Sequence, residues 1–195
     1  MKSLPSFTMH LAVARLVDPS RRPLYFIGAL APDAMRYPEK EAAHLRYEAD
    51  RAAALAELAH KTDPGDDFAE GVLVHLYTDW LWDTTQLRAY RNQADPGDCN
   101  WFKRYQHETK LASSWLYWNE PWAAPLWEAM LAVPPEDYGA FAGIAPEEIH
   151  SLMRNGRGWL KENRVGPSGF YTPGMVEEFI KTTAKNYISW RSNAC

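Results

Sequence analysis

The stretch Gly71–Asp83, GVLVHLYTDWLWD, decides how the rest of this chain is read. Val72, Val74, Leu76, Trp80 and Leu81 make it apolar nearly all round, the mark of a helix buried on most of its faces. Within it stand His75, Asp79 and Asp83 at four-residue steps, and on a helix such positions share one face. Burying a carboxylate is expensive unless something partners it. Histidine and aspartate at i, i+4 can chelate one divalent ion through an imidazole nitrogen and a carboxylate oxygen. The same spacing also describes a His–Asp hydrogen bond inside a core, so the pair alone leaves both readings open.

Working outward, residues 66–92 read as one long helix whose opening residues Asp66 and Asp67 suit its positive N-terminal end. Helical patterns also cover 6–17, 38–61, 99–119, 121–132, 146–154 and about 173–191, separated by Pro- and Gly-containing stretches such as DPSRRP, ADPGD and VGPSGFYTPG. PLYFIGALA, residues 23–31, is β-prone but isolated, and one strand cannot make a sheet. The expectation is a single all-α domain over 1–195 with about seven helices.

Composition excludes several classes. With 195 residues, 46% of them hydrophobic, the chain is not disordered. A net charge of -4 offers no electrostatic footprint for a nucleic-acid polymer. There is no run of eighteen apolar residues, and the N-terminal stretch lacks the apolar region and cleavage site of a signal peptide. Two cysteines, Cys99 and Cys195, suit a reducing compartment, so the expected location is cytoplasmic. Nine tryptophans and ten tyrosines supply large rings for a core or for an aromatic-lined cleft.

More polar residues stand in apolar company. His10 lies between Met9 and Leu11, Asp33 follows Pro32 in FIGALAPDA, and His44 sits in EAAHLR. Singly, each is an ordinary core histidine or turn aspartate. Together with His75 and Asp79 they make three histidines and two aspartates on different elements, apart from the 75/79 pair.

The order His10, GALAPDA, AHL, GVLVHLYTDWLW resembles the zinc-dependent phospholipase C family, an all-α group that shares its fold with fungal zinc-dependent single-strand nucleases. The likeness covers roughly the first half of the chain. It implies a metal site built from His10, Asp33, His44, His75 and Asp79, holding zinc or, with such mixed ligands, iron, manganese or nickel. The family's secreted members also use their N-terminal amine, a neighbouring tryptophan and a later His-x-x-x-Glu-like pair. This chain begins MKSLPS and offers only YQHETK, where His107 and Glu108 point about 100° apart on a helix. A three-metal cluster is therefore incomplete, and the pattern is closer to relatives with one or two ions.

A metal that activates water makes phosphoester hydrolysis the implied reaction, on a small soluble substrate, with Asp33 or Asp83 as general base. Asp83 also reads as a further ligand, an acceptor for a ligand imidazole, or a surface group. His107, Glu108, Tyr77 and Trp82 are candidates for the wall of the site. The competing expectation is a helical metal- or ligand-binding protein with a degenerate hydrolase site. An HD-type phosphohydrolase would need an adjacent His-Asp dipeptide, which the chain lacks.

Overall fold

A computed structural model describes residues 7–95 and 97–193, and among them every regular element is helical. The α-helices are α1 (Phe7–Val17), α2 (Pro23–Gly28), α3 (Glu39–Ala43), α4 (Arg51–Lys61), α5 (Asp67–Trp82), α6 (Arg88–Gln93), α7 (Trp101–Asn119), α8 (Ala123–Leu131), α9 (Pro146–Glu162) and α10 (Pro173–Asn193). A 3-10 turn at Ala31–Ala34 and a π-helical turn at Asp83–Leu87 complete the part that matters for the site. None of the described helices is long and apolar enough to cross a membrane.

The buried helix at the centre is α5. Asp66 caps it by accepting from the Ala69 amide, and the run from Val72 through Asp79 is buried without interruption. α2 lies across it most extensively, while α1, α4 and α10 cover its other sides. The crossing of α2 on α5 depends on glycine at both surfaces. A Cβ on Gly71 would overlap the carbonyl oxygen of Tyr25, and one on Gly28 would overlap that of Phe68. This close approach places the end of α2 and the following turn directly over the polar face of α5. Gly71→Ala is therefore expected to destabilise the protein by about 1–3 kcal/mol through overpacking. Urea unfolding checks this against Gly158→Ala on α9, where a new Cβ meets open space and a change of a few tenths or a slight gain is expected.

Three sequence expectations are corrected, the first being the count, since the described residues form ten α-helices rather than about seven. Residues 23–28 are helical rather than extended: Pro23 opens the helix with its fixed φ, and Tyr25, Phe26 and Ile27 are all buried. The expected helix over 38–61 is interrupted from His44 to Asp50. Leu45 takes a left-handed φ of 57°, and Asp50 restarts the chain as α4 by accepting from the Ala53 amide. The Ala- and Glu-rich composition favours an unbroken helix, but the side chains of His44 and Arg46 are drawn toward α5, and tertiary contacts prevail over propensity.

The expected helix over 66–92 does run continuously from α5 into α6, with a π turn at 83–87. Thr84 and Thr85 donate their hydroxyls to the carbonyls of Trp80 and Leu81, diverting acceptors from the regular ladder. The widened turn follows the ligand-bearing face immediately, a position where such turns are often functional.

Candidate metal centre

Five polar side chains converge where α1, the turn after α2, the end of α3 and α5 meet. His10 comes from α1, Asp33 from the 3-10 turn, His44 from just after α3, and His75 and Asp79 from α5. All five are buried, with His44 and His75 wholly so and Asp79 keeping 8% exposure.

Two backbone carbonyls set the orientation of the rings. His44 Nδ1 lies 2.8 Å from the Lys40 carbonyl, and His75 Nδ1 lies 2.8 Å from the Ala29 carbonyl. A carbonyl only accepts, so each Nδ1 carries its hydrogen and donates, which leaves each Nε2 as a lone pair. Those two Nε2 atoms face one another at 3.1 Å. In a tetrahedral zinc site with bonds of about 2.0–2.1 Å, two ligand nitrogens sit about 3.3 Å apart, close to what is found here. The Asp79 carboxylate closes the triangle, with Oδ2 3.4 Å from His44 Nε2 and 3.9 Å from His75 Nε2.

A second triangle shares a corner with the first. Ligand atoms of His10, Asp33 and His75 lie within 4.8 Å of one another, as do those of His44, His75 and Asp79. His10 stacks on His75 with ring centroids 4.0 Å apart, and its Nε2 approaches Asp79 Oδ1 at 3.2 Å. Neither ring nitrogen of His10 has a hydrogen-bond partner, and Asp33 Oδ2 is likewise buried without one. Buried polar atoms are rarely left unpaired, so the unpartnered Asp33 carboxylate oxygen and the acceptor nitrogen of His10 fit a site that a cation would complete. Because His75 Nδ1 is committed to Ala29, only its Nε2 is free, so the two triangles could not both hold an ion at once.

Two cations complete the cluster. Lys40 donates to Asp33 Oδ1 at 2.7 Å, and Arg46 Nη2 donates to Asp79 Oδ2 at 3.2 Å. Burial opposes ionisation of Asp33, but the Lys40 ammonium beside it prevails and holds its carboxyl below the usual range. Burial opposes ionisation of Asp79 in the same way, and the imidazoles of His10, His75 and His44 hold it well below that range. Burial pushes the His75 imidazole down to about 3, with His10 adding to the effect and Asp79 and Asp33 resisting it.

The remaining candidates lie elsewhere. Asp83 is one turn past Asp79, but its Oδ2 accepts from Arg46 Nε at 3.0 Å and Arg51 Nη1 at 2.8 Å, so it anchors cations rather than entering the ligand cluster. Tyr77 points away from His75 because two residues turn a helix by about 200°, and its ring packs on Trp80, Tyr187 and Trp190. Trp82 packs on Tyr171 and Phe179 and donates to the Tyr105 hydroxyl. His107 is exposed on α7. Glu108 accepts from the amides of Gly169 and Phe170 and from the Ser168 hydroxyl, so it fastens a distant loop. Tyr77, Trp82, His107 and Glu108 thus do not wall this cluster.

Sequence reasoning passed over Lys40, Arg46 and Arg51. The one available signal was their proximity in sequence to His44. No family model, curated protein or solved structure matches this chain.

Proposed function

We propose that the protein is a metal-dependent hydrolase acting on a phosphoester, with one divalent ion held by His44, His75 and Asp79 and flanked by His10. The observation that carries this reading is the pair of Nε2 lone pairs facing each other at 3.1 Å, each fixed by a carbonyl behind its ring. The resemblance to the zinc-dependent phospholipases C points to zinc, and mixed nitrogen and oxygen ligands also suit iron, manganese or nickel. When bound, such an ion supplies a Lewis acid that polarises a phosphoryl oxygen and brings the pKa of water toward neutrality.

The chain's own residues do the rest. The unpartnered Asp33 Oδ2 would accept a hydrogen bond from the attacking water and orient it, while Lys40 on Oδ1 keeps that carboxylate ionised. Arg46 holds Asp79 through Oδ2, the oxygen that also faces His44 and His75.

A second reading has its own support. Lys40 and Arg46 already neutralise Asp33 and Asp79, an arrangement that also suits a helical metal- or ligand-binding protein without turnover. Elemental analysis of protein purified without added metal separates metal binding from its absence. About one equivalent of a transition metal is expected; none, with no uptake on reconstitution, would remove both readings of the metal site. A screen with p-nitrophenyl phosphomonoesters and diesters then separates hydrolase from binder. Turnover that depends on metal and disappears in Asp79→Ala supports the hydrolase, whereas metal-loaded protein inert on every substrate supports the binder.

A further inference from the structure

Arg51 is the buried charged group that the cluster leaves unexplained. Its Nη1 donates to Asp83 Oδ2 at 2.8 Å, but Nε and Nη2 are buried and have no partner. Those two atoms form one edge of the guanidinium, two parallel N–H groups whose spacing matches two oxygens of a carboxylate or phosphate. The side chain as a whole keeps 13% exposure, while Nε and Nη2 themselves do not reach solvent. Arg46 is different: its three nitrogens go to Asp83, Glu41 and Asp79, which leaves it no free edge.

The position of Arg51 adds to the point. It is the first residue of α4, where the helix's own partial charge is positive and an added cation is disfavoured. Asp83 answers that charge through Nη1 alone, and the Nε/Nη2 edge is left without an acceptor. Charge balance across the cluster also favours an anion. Four carboxylates, Asp33, Glu41, Asp79 and Asp83, face three cations, Lys40, Arg46 and Arg51. A divalent ion turns an excess of one negative charge into an excess of one positive charge.

We infer that the Nε/Nη2 edge of Arg51 is an oxyanion subsite that receives a phosphate group, next to the metal centre and linked to it through Asp83, Arg46 and Asp79. This rests on the hydrolase reading for its context and extends it to a substrate-binding residue. A tetrahedral oxyanion gains two charge-assisted hydrogen bonds from one guanidinium edge, which lysine cannot reproduce.

The test is calorimetric titration with inorganic phosphate, and with acetate in parallel, of wild-type, Arg51→Lys and Arg51→Gln protein. Each is titrated zinc-loaded and chelator-stripped, with zinc content and unfolding midpoint recorded. Arg51→Lys preserves a charge for Asp83 and guards against loss of folding. Wild-type protein is expected to bind phosphate at least tenfold more tightly than Arg51→Lys, at equal zinc content and equal helicity, and to prefer phosphate to acetate. Equal phosphate affinity in wild-type and Arg51→Lys overturns the subsite, as does preference for acetate. No phosphate binding by wild-type protein in either state also overturns it. Failure of the metal reading shows separately as absent zinc, and Arg51-dependent phosphate binding by the stripped protein would then still support the subsite.

Discussion

His75→Ala is expected to lower metal content from about one equivalent per chain to background and to abolish metal-dependent turnover. The expectation follows from the position of His75 at the corner shared by both ligand triangles. Loss of His10 or Asp33 leaves His44, His75 and Asp79 intact, whereas loss of His75 reduces each triangle to two ligands. The substitution also removes the partner of the Ala29 carbonyl and leaves a gap beside His10. A wholly buried large-to-small change of this kind costs roughly 2–5 kcal/mol, so the variant must be shown to stay folded by its helicity. His60→Ala is the control, because His60 is exposed in the last turn of α4. Metal retained by a folded His75→Ala protein at the wild-type level would sink the assignment of this centre.

What the sequence makes legible here is the conflict between polarity and burial. His10, Asp33, His44, His75 and Asp79 stand out because apolar neighbours predict burial and burial demands partners, and the fold brings all five together. The all-helical class is legible for a related reason, since the apolar periodicities have helical spacing over most of the chain.

The parts that sequence reading misses are those set by tertiary contact. EAAHLRYEADRAAALAEL is mostly made of helix formers, with no Gly or Pro to mark a break after Ala43, although Asp50 is a residue type suited to cap a new helix. The break exists because His44 and Arg46 reach α5, at the expense of a left-handed Leu45. Tyr77 and Trp82 show the opposite failure. Nearness in sequence to His75 suggested nearness in space, yet Tyr77 is rotated off that face, and Trp82, two turns further along, packs on Tyr171 and Phe179. Asp83 shares the face of Asp79 as its spacing requires, but two arginines from the 44–51 segment claim it first. Arg residues at 46 and 51 carry no mark in sequence that distinguishes an internal guanidinium from a solvated one.

Removing the ion is expected to lower the melting temperature without unfolding the protein at room temperature. With free metal at a hundred times its dissociation constant, binding stabilises the native state by about 2.7 kcal/mol. For a chain of 195 residues this corresponds to roughly 5–11 °C in the midpoint. The fold should survive chelation because Asp33 keeps Lys40 and Asp79 keeps Arg46, so neither buried carboxylate is left bare. The facing Nε2 atoms of His44 and His75 are what the stripped state leaves without a common partner. Differential scanning calorimetry with and without chelator measures the shift, and His75→Ala should melt at one temperature in both conditions. Coincident wild-type transitions, in protein shown beforehand to contain its metal, would mean that the ion is bound away from this cluster and that the five side chains are a self-contained polar core.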